Sequence, residues 1–258
     1  MNTKVIAISN QKGGVGKTTT TVSLGVGFAQ KGKRVLLIDT DPQGSLSIAL
    51  GYKRPDDFQY SLAEVFQDVL LDRTPRPEEA ILHTDEAVDL LPANIMLSGL
   101  ELQLTAATCR ESILKKLIQP LKSEYDYIII DCMPSLGLLT INALVAADSV
   151  LIPTLPHYLS SKGLEQLIKT IFRLRELNPD LKIEGILFTM VNVLSKFQKE
   201  TIELTRESYG EHIRIFKTEI PNSVKAVETA AEGKSIYEYD EKGKVSNAYK
   251  SLIDEVTV

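Results

Sequence analysis

The stretch Lys12-Gly13-Gly14-Val15-Gly16-Lys17-Thr18-Thr19 holds the residues of this chain best suited to chemistry. It follows an apolar run ending at Ser9 and precedes a segment of helical period. A glycine run between a strand and a helix gathers backbone N–H groups and the positive end of the helix at one point, and that point binds phosphate. Lys17 is placed to reach β- and γ-phosphate oxygens and the Thr18 hydroxyl to ligate Mg²⁺, with Thr19 beside it in reach of an α-phosphate. A bare Gly-Gly-Val-Gly run could be only a tight turn. The Gly16-Lys17-Thr18 ending argues instead for a nucleotide. The spacing is unusual, because Gln11 stands where a phosphate loop ordinarily has glycine, and Lys12 follows it.

Two acidic strand ends belong with this loop. Asp39 and Asp41 lie in the run Val-Leu-Leu-Ile-Asp-Thr-Asp-Pro-Gln, and Asp131 ends Ile-Ile-Ile-Asp. A carboxylate at the carboxyl end of a buried parallel strand lies in the crevice where such sheets take ligands, and Mg²⁺ needs oxygen there, directly or through water. Asp131 is therefore assigned to the metal with Thr18. Asp41, in the loop after its strand, is assigned to the same metal-side cluster and to orienting a water for attack on the γ-phosphate. One of Asp39 and Asp41 could instead be a cap or turn former ahead of Pro42.

These side chains need a scaffold that brings strand ends together. Short Val- and Ile-rich runs alternate with helical segments, the pattern of a doubly wound, mostly parallel sheet in an α/β fold. Strands are expected over 4–9, 34–39, 88–91, 127–131, 149–153, 183–191 and 213–220. Helices are expected over 17–30, 98–104, 111–121, 138–147, 163–177, 196–209, 223–231 and 245–256. The segment 53–77, with three prolines, reads as an irregular surface excursion. One α/β domain over 1–258 is the economical division.

With 43% hydrophobic residues among 258, the chain can bury a large core, which excludes a disordered or fibrous protein. A net charge of −5 argues against coating nucleic acid by bulk positive charge, though a local basic patch is compatible with it. The amino terminus enters an apolar run without a signal-peptide pattern, so cytoplasm is the expected compartment. Cys109 and Cys132 are too few for a disulfide framework and read as two buried thiols without a special role. Strand alternation turns Cys132 away from the side of Asp131, which argues against iron–sulfur ligation.

Three motifs in order, Lys12-Gly-Gly-Val-Gly-Lys-Thr-Thr, Asp39-Thr-Asp-Pro-Gln-Gly and Asp131-Cys-Met-Pro-Ser-Leu-Gly, resemble the ParA/Soj partition ATPases. These are P-loop NTPases with a deviant Walker A motif, in the wider group that includes MinD. The likeness runs through Leu91-Pro-Ala-Asn94, Asn142-Ala-Leu, Ile152-Pro-Thr and Ile220-Pro-Asn. It implies ATP and Mg²⁺ as cofactors, and a homodimer on ATP in which Lys12 reaches the partner's phosphates. A trans-acting cation of this kind makes hydrolysis depend on dimerisation. Its bland alternative is a solvated loop lysine. The resemblance also makes 41–47 and 131–137 two switches sensing the γ-phosphate, and maps base contacts to Asn192 and Pro221. Asn192 could equally be a turn residue.

The same resemblance implies slow hydrolysis stimulated by a ParB-like centromere-binding protein, and non-specific DNA binding that places the ATP form on the bacterial nucleoid. Family arginines are replaced here by Leu194 and Asn222, with Lys225 nearby, so Lys196, Lys199 and Lys225 are the substitute DNA contacts. Lys217, Lys242, Lys244 and Lys250 are further candidates, and all could be ordinary solvated charges. About ten residues precede the loop, too few for a helix-turn-helix module, as in the short partition ATPases. The last segment lacks a cationic amphipathic face, so no membrane partner is expected. The alternative function is an ATP-controlled positioning or regulatory adaptor, MinD-like or cargo-recruiting, that does not bind DNA.

Overall fold

The computed structural model describes residues 3–157 and 160–257, with the side chains of 160–162 left aside. Its strands are β1 (Lys4–Ile8), β2 (Val35–Asp39), β3 (Leu82–His83), β4 (Asp89–Leu91), β5 (Tyr127–Asp131), β6 (Ser149–Thr154) and β7 (Lys182–Phe188). They form one sheet in the order β3-β4-β2-β5-β1-β6-β7. Every pairing is parallel except that of β3 with β4. The helices are α1 (Lys17–Gln30), α2 (Ser45–Ala49), α3 (Leu62–Leu70), α4 (Met96–Leu104), α5 (Ile113–Ile118) and α6 (Leu138–Ala146). They continue with α7 (Ser160–Leu174), α8 (Lys196–Tyr209), α9 (Val224–Glu232), α10 (Ile236–Tyr239) and α11 (Lys244–Thr257).

Strand alternation divides the interior into two cores. Val5, Ala7, Leu36, Ile38, Ile128 and Ile130 point to the face covered by α3 to α7. Ile6, Ile8, Val35, Leu37 and Ile129 point to the face covered by α1, α2, α10 and α11. Continuous apolar strands are what a sheet buried on both sides requires. Each fully buried side chain such as Leu24 or Phe28 of α1 contributes about 1.5–3 kcal/mol relative to exposure.

The register fixes the site. Ile8 lies opposite Asp131, and Asp131 lies opposite Asp39, so three strand ends meet in one row. Asp131 shares the parity of Ile129, which aims its carboxylate at α1. Cys132 has the other parity and joins the opposite core.

Four local readings need correction. The segment 53–77 is not irregular throughout, because it contains α3. Ser61 caps that helix by accepting from Ala63 N at 3.1 Å, and Glu64 accepts from Ser61 N at 2.8 Å, a complete capping box. Ser61→Ala is expected to cost about 1 kcal/mol and lower the melting temperature by about 2–4 °C, measured by calorimetry. The segment 213–220 is not a strand. Phe216 N donates to Ile186 O and Ile220 N to Phe188 O, but between them Lys217 and Thr218 N–H groups turn to the Glu255 carboxylate at 2.9 and 2.8 Å. Only isolated bridges remain.

The helix expected over 111–121 is broken into two 3₁₀ turns around α5. Buried Asn142 explains this, since it donates to Arg110 O at 2.7 Å and accepts from Leu114 N at 3.1 Å, taking backbone groups a continuous helix would use. Cys109, expected to be buried, is exposed and adopts a φ of 53° ahead of the first of these turns. No helix among the described residues is long and apolar enough to cross a membrane.

Candidate nucleotide site

The loop from Ser9 to Gly16 is held in place before any ligand arrives. Asn10 donates from Nδ2 to Pro153 O at 2.7 Å and accepts from Lys12 N at 3.0 Å. Thr189 donates to Val15 O at 2.9 Å, and Thr20 and Tyr249 share a hydrogen bond of 3.0 Å beneath α1. The loop is thereby tied to β6, to the end of β7 and to α11. Gly14 and Gly16 take φ values of 68° and 80°, a conformation that glycine adopts without strain. Gly16 is also the N-cap of α1 and provides no side-chain cap, so the first N–H groups of the helix remain for an anion.

At the head of α1, Lys17 is 8% exposed and donates from Nζ to Lys12 O at 3.2 Å. Burial lowers its pKa, opposed by the charges of Asp131 and Asp41. Thr18 donates to Asp131 Oδ2 at 2.7 Å and Thr21 to Asp131 Oδ1 at 3.1 Å. Burial pushes the Asp131 carboxyl up to about 6, opposed by the Thr18 bond and the Lys17 charge. A buried carboxylate beside a threonine hydroxyl and an ammonium suits Mg²⁺ that retains water and phosphate oxygens. Among the described residues there is no group of three or more His, Cys, Asp or Glu side chains able to cage an ion. Phosphate oxygens are needed to complete such a metal site.

Asp39 and Asp41 have different geometries. Asp39 is fully buried and accepts from Asp41 N at 3.0 Å, Leu46 N at 3.1 Å, Ser47 N at 3.2 Å and Ser47 Oγ at 3.3 Å. It clamps the N-terminus of α2, just beyond Gly44, onto the end of β2. Asp41 borders the cavity, with Oδ1 accepting from Gln43 N at 3.0 Å. Burial, then the Asp131 charge, raises the Asp39 carboxyl to about 8, while its N–H bonds pull the other way. The native state therefore holds a proton that the unfolded chain releases near 3.8, and this stabilisation is lost as pH rises from about 4 to about 8. The nucleotide-free protein is expected to melt lower across that window by up to about 1.4 kcal/mol per pH unit. Asp39→Asn should flatten the slope in a calorimetric pH series.

One cavity of about 350 Å³ joins these groups. Gly13, Gly14, Gly16, Lys17, Thr18, Thr19 and Asp41 line it, and Pro221 lies on its far wall. Val15 is buried beneath the loop. Asn192 is outside the lining. Its Oδ1 accepts from Leu194 N at 3.0 Å, and its own N donates to Gln198 Oε1 at 2.7 Å, the geometry of a turn. Lys12 is exposed, lies outside the lining, and has no ion pair among the described residues. Lys196 and Lys199 are exposed on α8, whereas Lys225 pairs with Asp240 at 2.8 Å.

Several lining residues were not foreseen. Thr189, Met190 and Tyr249 come from distant parts of the chain, whereas Ser45 lies within 41–47. Ala226, Val227 and Ala230 share one side of α9, and their spacing could have marked a wall. After 131–137, α6 has Gly137 as its N-cap without a side-chain cap, and Glu101 of α4 accepts from Leu139 N at 3.4 Å. Burial pushes the Cys132 thiol up to about 12, which keeps it an unreactive neutral group at the cavity edge.

A glycine loop between β1 and α1, with its Lys-Thr ending facing an acidic neighbouring strand end, defines a P-loop nucleotide-binding protein. A family model described as an AAA domain matches residues 3–183. The chain is 43% identical to the sporulation initiation inhibitor protein Soj of Bacillus subtilis, covering 98% of both chains. It is 42% identical to the chromosome partitioning protein ParA of Myxococcus xanthus, over 96% of this chain and 86% of that one. The chain belongs to the ParA/Soj family of P-loop ATPases. Among solved structures it resembles a cobyrinic acid a,c-diamide synthase from Mycobacterium smegmatis with bound ATP analog and magnesium. That match has a TM-score of 0.85 and 36% identity, covering 98% of this chain and 93% of the other.

Proposed function

We propose that this chain is an Mg²⁺-dependent ATPase that partitions chromosomes or plasmids by switching, on ATP, into a sandwich dimer that binds DNA without sequence preference. The observation that carries this reading is the convergence of Lys17, Thr18, Asp131 and Asp41 beside a loop whose exposed Lys12 has no ion pair among the described residues. Lys17 and the loop N–H groups would hold the phosphates, and Thr18, Asp131 and Asp41 would hold Mg²⁺ with them. Magnesium, when bound, offsets charge on the phosphate oxygens. Asp41 orients the attacking water, and Lys12 of a second copy offsets charge developing on the transferred group. Thr19 and Pro221 contact the remainder of the nucleotide. Hydrolysis is slow on its own and is stimulated by a centromere-binding partner of the ParB kind.

The names of the Soj and ParA relatives support the partition role. Lys196, Lys199 and Lys225 would meet DNA phosphates. A mobility-shift titration with ATP at low and physiological salt tests this: binding should require ATP and weaken steeply with salt. No shift at low salt would leave the second reading, a positioning adaptor. That reading draws support from Leu194, 89% exposed where an arginine was expected, and from exposed Val193 and Phe197 beside it.

A further inference from the structure

The first switch leads directly into α2, and α2 ends against α9. Leu50 closes α2, and Gly51 follows with a φ of 95°. Gly233 closes α9 with a φ of 70°. The two turns meet backbone to backbone: a Cβ on Gly233 would stand 2.5 Å from Gly51 Cα and 2.9 Å from Gly51 N. No side chain cushions this contact, so displacement of one turn is passed to the other.

The two ends of α9 are held differently. Beyond Gly233, α10 is anchored: Ser235 donates from N and Oγ to Glu86 at 2.6 and 2.9 Å, and Tyr237 donates to Ser23 O at 2.9 Å. Within α9 only Thr229 is buried, while Val224 and Val227 are 74% and 69% exposed. Its Lys225–Asp240 pair is half exposed, and pairs of that kind restrain little. At the other end the chain before Val224 is tied by Asn222 N donating to Val191 O at 3.0 Å, and Tyr239 donates to Glu228 at 2.9 Å, so α9 is a lightly buried arm that pivots at Gly233 rather than a free one.

We infer that α9 is the output arm of the first switch, set by α2 through the Gly51–Gly233 contact, so that ATP and ADP leave its outer face in different positions. This rests on the reading above that 41–47 responds to the γ-phosphate. Ala226, Val227 and Ala230 also wall the nucleotide cavity, so any nucleotide touches α9 from that side. The route proposed for the ATP–ADP difference runs from 41–47 through α2. The part of α9 turned from the cavity carries Val224 and Lys225 and stands next to Asn222, whose N–H bonds Val191 O at 3.0 Å ahead of exposed Val193 and Leu194.

Amide hydrogen exchange on the full chain, with ADP or with an ATP analogue that resists hydrolysis, tests the inference. In the unaltered protein the α9 amides should differ between the two nucleotides by about fivefold or more. Gly233→Ala should retain the ADP response and lose the ATP–ADP difference, and Gly51→Ala serves if Gly233→Ala does not fold. The difference should persist in Lys12→Ala, because it arises within one subunit. Its loss there would show that dimer burial was the cause and overturn the inference. So would an ATP–ADP difference unchanged in the glycine variant, or an α9 that ignores the nucleotide while 41–47 responds. If 41–47 itself does not respond, the switch reading fails together with this one. Failure to bind DNA leaves the inference intact.

Discussion

Lys17→Ala is expected to weaken ATP binding by about 10² to 10⁴-fold, because breaking a buried charge pair costs about 3–5 kcal/mol. The ammonium is the buried cation that faces both Asp131 and Asp41. Without it, an incoming triphosphate meets the Asp131 and Asp41 carboxylates with only loop N–H groups to offset them. Lys17 is also already held, by its bond to Lys12 O, so little side-chain entropy is lost when nucleotide arrives. Titration with a fluorescent ATP analogue measures the change. A loss smaller than tenfold would remove Lys17 from the phosphate contacts.

Asp41→Ala should give the opposite kinetic pattern. Turnover is expected to fall by about 10² to 10⁴-fold, the usual contribution of a positioned base, with ATP affinity changed only a few-fold. The side chain borders the cavity and its one local bond is to Gln43 N, so its loss leaves the clamp made by Asp39 intact. Single-turnover phosphate release and gel filtration with ATP check both halves: slow release and an accumulated dimer. Normal release would disprove the assignment. The comparison with Asp39→Ala is informative, since removing that carboxylate strands three backbone N–H groups and should disturb α2 as well as turnover.

What could be read from the sequence was what is encoded in neighbouring residues. The loop, α1 and the acidic ends of β2 and β5 each sit in one short run whose spacing dictates geometry. The parallel sheet was legible for the same reason, from alternating apolar runs. Prolines 55, 75 and 77 misled over 53–77, because Ser61 and Glu64, which start α3, form a signal only as a pair. The segment 213–220 has the composition of a strand, but Glu255, about forty residues later, takes two of its N–H groups. Exposure of Cys109 followed from a backbone turn that composition does not encode. Within the site, Thr189 and Tyr249 were invisible because they act through long-range hydrogen bonds, Thr189 to Val15 and Thr154 and Tyr249 to Thr20.

The bond between Thr20 and Tyr249 also bears on how the protein is made. Its partners are separated by 229 positions, and Tyr249 forms part of the cavity wall. A nascent polypeptide in which α11 has not yet emerged has the phosphate loop but lacks the support beneath it. Completion of the nucleotide cavity is thus coupled to docking of α11, and a partly folded chain with α11 detached should hold nucleotide less firmly.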